Sequence, residues 1–161
     1  MIVTYLYYTN VLYMEEFRRL TKEDLHEILS VVKESHDYIS INSFITNDII
    51  NSFNNNQIYK LELYGFFRGG KLVNFSGIAN QPGIGGSYEF RLCTTLPEFR
   101  EMGYGLRAIE RRIAIISTRE RDYKAMIQVS SKNPKLFKNF GFKETGYVSR
   151  LGYIHLIKEI H

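Results

Sequence analysis

The chain has 161 residues, 44% of them apolar and 24% charged, with a net charge of +4. That is the size and balance of one globular domain with a substantial core. Its single cysteine, Cys93, excludes an intramolecular disulfide framework and fits a reducing, cytoplasmic setting, and without an apolar run of 18 residues no membrane-spanning helix is expected.

Met1 to Tyr13 is apolar and tyrosine-rich, but lacks the basic start and small-residue cleavage site of a signal peptide. It is expected to form an arm or an extra strand ahead of a single domain over residues 14–161. Glu15 to Leu20 reads as a short strand. Thr21 then precedes Lys22, Glu23 and Asp24, an N-cap followed by acids in the first turn. Leu25, Ile28, Val31 and Val32 recur at helical spacing, which predicts a helix over 22–34. A second helix is expected from Thr46 to Phe53, ended by three asparagines.

Ile58 to Phe67 and Leu72 to Asn80 read as strands joined by the hairpin turn Arg68-Gly69-Gly70-Lys71. Gln81 to Gly86 is expected to be a mobile loop, and Tyr88 to Thr95 the next strand. Leu106, Ile109, Ile113 and Ile116 give a helix of about four turns, with Arg107, Arg111 and Arg112 on its solvated faces. A strand over Tyr123 to Ser130 comes next. A short helix over Asn133 to Phe140 is stopped by Gly141. Phe142 to Val148 and Leu151 to Ile160 close the chain as a strand pair. The order β-α-α-β-β-β-α-β-α-β-β describes a mixed α/β sheet flanked by helices.

The charge is uneven. Residues 1–80 hold 7 basic and 9 acidic side chains, and residues 81–161 hold 14 and 8. Between Arg100 and Lys143 there are 11 basic and 4 acidic residues. The basic stretch begins at Leu96-Pro97-Glu98-Phe99-Arg100-Glu101-Met102-Gly103-Tyr104-Gly105-Leu106, where a strand turns into a helix. Free N–H groups at a helix start converge on one spot, and the helix dipole favours negative charge there. Glycines let an anion approach the backbone closely. A polyanionic ligand is the economical reading of this half, and nucleic acid is its rival.

Two motifs carry a resemblance. Arg100-Glu101-Met102-Gly103-Tyr104-Gly105, with Pro97 three residues before the arginine, resembles the Arg/Gln-x-x-Gly-x-Gly/Ala signature of the GNAT superfamily of acyl-CoA-dependent N-acyltransferases. Phe137-Lys138-Asn139-Phe140-Gly141-Phe142 resembles that family's aromatic-x-x-x-Gly-Phe closure of the fourth helix. The resemblance covers about residues 14–160. It implies a mixed, mostly antiparallel sheet of six to seven strands flanked by four helices, splayed between its fourth and fifth strands.

The resemblance also implies acetyl-CoA as co-substrate, with no metal. Backbone amides from Glu101 to Leu106 would hold the pyrophosphate, covered by the Arg100 region. The pantetheine would pair with Cys93, Thr94 and Thr95 like an added strand, with Asn133 and Phe137 also lining the cofactor. The thioester would face the Cys93 backbone N–H, an oxyanion donor. The reaction implied is N-acetyl transfer to a primary amine in a ternary complex. A CoA-binding module with little catalysis and a toxin-like transferase acting on aminoacyl-tRNA are the alternatives, and the oligomeric state, homodimer included, is open.

An amine must lose a proton before it attacks a thioester, so a base is needed. Glu89, four residues before Cys93, matches the catalytic glutamate of histone-type members. Alternation puts Glu89, Arg91 and Cys93 on one strand face. Straight geometry would separate Glu89 from Cys93 by about 13 Å, so a bulge and a bridging water would be needed. The competing reading pairs Glu89 with Arg91. Many members carry a tyrosine acid where this chain has Phe137, and the family's asparagine position corresponds to Ser130. Tyr104, Tyr147 and Tyr153 could substitute, but each reads more readily as a packed aromatic.

Cys93 is read as a small buried strand residue rather than a nucleophile. The four histidines show no metal spacing, and His155 is expected to be structural. Glu34, His36, Asp37 and Asp48 lie in segments that, on the resemblance, would set acceptor choice and could receive a cationic amine, although surface charge is the commoner reading of such residues.

Overall fold

The structure, a computed structural model, describes residues 2–8, 11–35, 39–54, 60–80 and 86–161. Eight strands hydrogen-bond in the order β1-β2-β3-β4-β5-β6-β8-β7, and four α-helices accompany them. The chain divides into two compact units, Met1–Gln57 with Glu62–Gly77 and Leu92–Gly105, and Ile58–Leu61 with Ile78–Arg91 and Leu106–His161.

The first unit opens with a hairpin. β1 (Ile2–Tyr8) pairs antiparallel with β2 (Val11–Arg19), from Ile2 opposite Phe17 to Tyr8 opposite Val11. β2 therefore starts before Glu15, the first strand residue expected from sequence. Its far side pairs with β3 (Lys60–Arg68), from Glu15 opposite Arg68 to Arg19 opposite Tyr64.

A single turn of 3₁₀ helix, Lys22–Asp24, leads into α1 (Leu25–Ser35). Asp24 organises that start. Its Oδ2 accepts the Thr21 N–H at 2.8 Å, and Arg18 clasps both carboxylate oxygens at 2.7 and 2.8 Å. The hydrogen bond from Arg18 is the main reason the Asp24 carboxyl titrates below its ordinary range, with the Thr21 N–H bond adding to it. α1 buries Ile28, Val31 and Val32, three of the positions its periodicity predicts.

α2 (Ile39–Ser52) begins seven residues before Thr46, the expected start. Ile39-Ser40-Ile41-Asn42-Ser43 mixes β-branched residues with side chains that compete for backbone hydrogen bonds, so local propensity argues against a helix there. Helix is formed nonetheless, and Ile49 further along is buried.

β3 turns through Gly69 and Gly70, at φ 57° and 80°, into β4 (Lys71–Asn80), as a glycine hairpin predicts. Gly65 on β3 has a packing reason to be glycine: a Cβ there would lie 2.5 Å from Leu72 Cδ1 and 3.0 Å from Leu20 Cδ2. The expected loop over Gln81 to Gly86 lies outside the described residues except for Gly86.

β5 (Ser87–Thr95) belongs to the second unit as far as Arg91, and there it pairs in parallel with β6 (Ala125–Ser131) over Ser87–Glu89 and Met126–Gln128 only. Val129, Ser130 and Ser131 pair onward with β8 (Ile154–Ile160), not with β5. Counting from β2, these are the fourth and fifth strands, and this is the expected splay between them. The eighth strand beyond the expected six or seven is β1.

α3 (Tyr104–Arg119) is 16 residues long, as its periodicity predicts, but its buried side differs from expectation. Ala108, Ile109, Arg112 and Ile116 are buried, whereas Leu106 is 40% exposed. Arg112, expected on a solvated face, is only 1% exposed. Its guanidinium lies 4.1 Å from the Phe90 ring centroid, and its Nε donates to the Ala108 carbonyl at 3.1 Å. A planar cation stacked on an aromatic face fits in a core where an ammonium would not.

α4 (Pro134–Lys138) ends at Gly141, φ 82°, as expected. β7 (Lys143–Val148) is a fully exposed edge strand whose register against β8 shifts between Glu144 and Val148, around Gly146 at φ 86°. Among the described residues no helix is long and apolar enough to cross a membrane.

Candidate functional site

The glycine loop belongs to the first unit, with β5 residues 92–95. Leu96, 1% exposed, anchors the loop by donating its N–H to the Val73 carbonyl at 2.9 Å. Phe99 and Arg100 then close a tight turn by donating to the carbonyls of Leu96 and Pro97. A run of aromatic contacts holds the turn and the start of α3 in place. Phe99 meets Tyr104 edge-on at 6.2 Å, Tyr104 meets Phe66 at 5.5 Å, and Phe66 meets Phe17 at 4.6 Å. The Tyr104 hydroxyl donates to the buried Glu15 carboxylate at 3.0 Å. Tyr104 is thereby a supporting residue of the loop, and its proton is engaged inside the fold.

Two residues of the loop adopt left-handed backbone, Glu101 at φ 65° and Gly103 at φ 81°. The turn alone accounts for glycine at 103. It does not account for Gly105, whose φ is not positive and whose absent Cβ would meet nothing within 4 Å. Glycine near a helix start costs up to about 1 kcal/mol against alanine, and no internal contact explains it here. Open space over the backbone at 103 and 105, at the start of a 16-residue helix, fits a phosphate approaching the chain itself. Met102 and Leu106 are exposed beside it.

Arg100 is also exposed, and its Nη2 donates to the Ser35 carbonyl at 2.9 Å, at the end of α1. Lys71 is engaged by Glu98 at 2.9 Å. That hydrogen bond raises the Lys71 ammonium and lowers the Glu98 carboxyl from their ordinary values.

Leu92, at φ 49°, is left-handed in the middle of β5. For a residue with a full side chain this costs about 1–2 kcal/mol. It interrupts the pleat on which the expected common face of Glu89, Arg91 and Cys93 depends. Cys93 is exposed, not the buried residue expected from sequence. Thr94 is buried, and Thr95 is held twice: its Oγ1 accepts from Asn74 Nδ2 at 2.8 Å, and its carbonyl accepts from Ser35 Oγ at 3.2 Å. Asn74 Nδ2 also lies 3.9 Å from Cys93 Sγ. Sequence does not single out Asn74, which reads there as one polar residue in an apolar strand.

In the second unit, Arg91 Nε donates to Glu89 Oε2 at 3.1 Å. Phe137 is buried and packs edge-on against Phe142 at 5.5 Å, which in turn lies 5.9 Å from Phe90. Asn133 is exposed, and its N–H donates to Ser131 Oγ at 3.0 Å. His155 lies 3.3 Å from Gln128 Oε1 and 3.1 Å from Thr145 Oγ1, with Ser130 opposite it in register. Tyr147 is 64% exposed, and Tyr153 lies under the Lys132 ammonium at 5.0 Å. Among the described residues no three His, Cys, Asp or Glu side chains form a metal-binding group. Of the acids noted for acceptor choice, Glu34 is exposed and accepts from Ser30 at 3.0 Å, while His36 and Asp37 lie outside the described residues.

No family model matches the chain, and no curated protein matches it in sequence. Solved structures do match in fold. The structure of an acetyltransferase ascribed to the GNAT family from Desulfovibrio desulfuricans superposes with a TM-score of 0.72 at 11% identity, over 91% of this chain and 98% of that one. The chain has the GNAT fold. The PaiA N-acetyltransferase of Thermoplasma acidophilum, solved with coenzyme A, gives 0.67 at 18% identity, over 91% of this chain and 99% of that one. The spermidine/spermine N-acetyltransferase SpeG of Vibrio cholerae gives 0.65 at 18%, over 90% and 93%. The GNAT fold thus accounts for the order of strands and helices in which β5, α3 and β6 follow one another.

Proposed function

We propose that this chain transfers an acetyl group from acetyl-CoA to a primary amine, on a small molecule or a peptide, by direct attack in a ternary complex. The observation that carries the reading is Gly105, a helix-start glycine with open space where a Cβ would lie. The coenzyme A complex of the Thermoplasma protein, on the same fold, supports coenzyme A as the owner of the phosphates. In this reading the amides from Glu101 to Leu106 receive the pyrophosphate, and Arg100 covers it by leaving the Ser35 carbonyl. Cys93, Thr94 and Thr95 receive the pantetheine. The Cys93 N–H faces the thioester, and Glu89 takes the proton of the amine.

Calorimetry with acetyl-CoA, followed by thiol release in the presence of amines, tests this. Micromolar binding and amine-dependent release are expected, with Glu89→Gln keeping the binding and losing at least tenfold in kcat. Absence of binding would remove the proposal. Binding without release would support a second reading, a coenzyme A-binding module. Phe137 favours that reading, since a buried phenyl ring has no proton for the departing thiolate.

A further inference from the structure

β4 carries an anomaly. From Leu72 to Ala79 it is buried throughout, as a strand covered on both faces should be, yet Asn74 and Ser76 interrupt its apolar run. Both are 0% exposed. Asn74 spends its Nδ2 on Thr95 Oγ1, but its Oδ1 has no partner, and neither has the Ser76 hydroxyl. A buried oxygen without a donor is destabilising, and an apolar pair at these positions would be the cheaper core.

The two oxygens belong to one face. Residues two apart on a strand point the same way. The Leu96–Val73 backbone bond and the Asn74–Thr95 contact set β4 against β5, and Asn74 Nδ2 also lies 3.9 Å from Cys93 Sγ. Asn74, Thr95 and Cys93 therefore form a polar cluster within the first unit, with Cys93 its exposed member, and Ser76 follows two residues after Asn74 on the same strand face.

We infer that Asn74 Oδ1 and Ser76 Oγ seat the acceptor nitrogen, each accepting one of its N–H groups. The inference rests on the acetyl-transfer reading, which puts the thioester at Cys93. A seat with two acceptors selects a primary amine, which brings two N–H groups, over a secondary amine, which brings one. Both oxygens are neutral. Shielded from water, they favour the uncharged amine, the form that attacks, where a carboxylate would hold it as an ammonium. In the transfer the nitrogen lone pair forms the C–N bond at the thioester carbonyl carbon. The C–S bond breaks, and sulfur leaves with its electron pair. The proton shed by nitrogen ends on the thiol, giving an amide and coenzyme A.

The test compares wild type with Ser76→Ala on benzylamine against N-methylbenzylamine, and on a tripeptide starting with alanine against one starting with sarcosine. Acetyl-CoA affinity and thermal midpoint are measured alongside. Ser76→Ala should keep the affinity within twofold, and keep or raise the midpoint, because it deletes an unmet polar group. It should raise the KM of the primary amines about tenfold and that of the secondary amines by less than threefold, because their single N–H can still use Asn74 Oδ1. Asn74→Ala, which also loses the Thr95 bond, should lower the midpoint but erase the same discrimination. A lowered midpoint for Ser76→Ala with unchanged KM values would overturn the inference, since the hydroxyl would then serve the fold. So would acetylation of neither primary amine by a wild-type protein that binds acetyl-CoA. Failure of the wild type to bind acetyl-CoA would instead overturn the underlying reading.

Discussion

Replacing Gly105 by aspartate separates what the fold needs from what a phosphate needs. Gly105 is the second residue of α3, its φ is not positive, and a Cβ there meets nothing within 4 Å. The free protein should therefore accept the change. Replacing a helix glycine recovers up to about 1 kcal/mol, and an acid in the first turn adds about 0.3–1 kcal/mol by facing the positive end of the dipole. For a chain of this size each kcal/mol moves the thermal midpoint by about 2–4 °C, so a midpoint equal to or above wild type is expected. Binding should respond in the opposite direction. A carboxylate about 5–6 Å from a phosphate charge, at an effective dielectric near 20, repels it by about 3 kcal/mol. That is a loss of more than a hundredfold in acetyl-CoA affinity. Gly105→Ala adds the Cβ without the charge, so it should bind more weakly than wild type but more tightly than Gly105→Asp, which separates crowding of the phosphate from charge repulsion. Calorimetry and thermal unfolding on the three proteins decide the matter. A stable Gly105→Asp protein whose affinity stays within threefold of wild type would refute a phosphate at this helix start.

Three further outcomes are expected. Arg112→Ala should cost about 2–4 kcal/mol in urea unfolding, and lysine should fail to restore it, because the contact with Phe90 depends on a flat cation. Phe137→Tyr should lower stability by about 1–2 kcal/mol without raising kcat, since the ring is held in the core against Phe142; a rise in kcat would show that the family's acid position is still in use. The Asp24 carboxyl is held below its unfolded value, so its contribution is present above pH ~4 and lost as pH falls through the folded pKa. Asp24→Asn should accordingly flatten the fall in stability below pH 4, measured by denaturant midpoints.

The parts of the fold that sequence makes legible are those where one residue type has one physical use. Gly69 and Gly70 mark the hairpin because few residues tolerate positive φ, and Gly141 ends α4 for the same reason. The helical spacing of Ile28, Val31 and Val32 names the buried side of α1. Legibility fails where a side chain does something its class does not usually do. Arg112 reads as surface because it is charged, yet it is buried against Phe90, and Leu106 reads as core because it is apolar, yet it lies open at the helix start. The start of α2 is hidden because Ser and Asn score poorly as helix formers whatever packs behind them. In the candidate site, the glycines are visible and the conformation between them is not. Neither the left-handed Leu92 nor the exposure of Cys93 can be read from alternation, because a single positive φ suspends it. Asn74 leaves no local pattern, since its importance comes from Thr95, 21 residues away.

The two outer strands also set how this protein behaves when crowded. Among the described residues β1 is an outermost strand, and its seven residues stand in unbroken register with β2, so its outer edge is a straight template for another chain. β7 loses register between Glu144 and Val148 and turns through Gly146, so no incoming strand can lie flat along it. Sheet growth between molecules is therefore expected to begin at the first strand rather than at the last hairpin. Substitutions in residues 2–8, a stretch remote in sequence from the glycine loop, are therefore expected to change solubility at high concentration more than substitutions in β7.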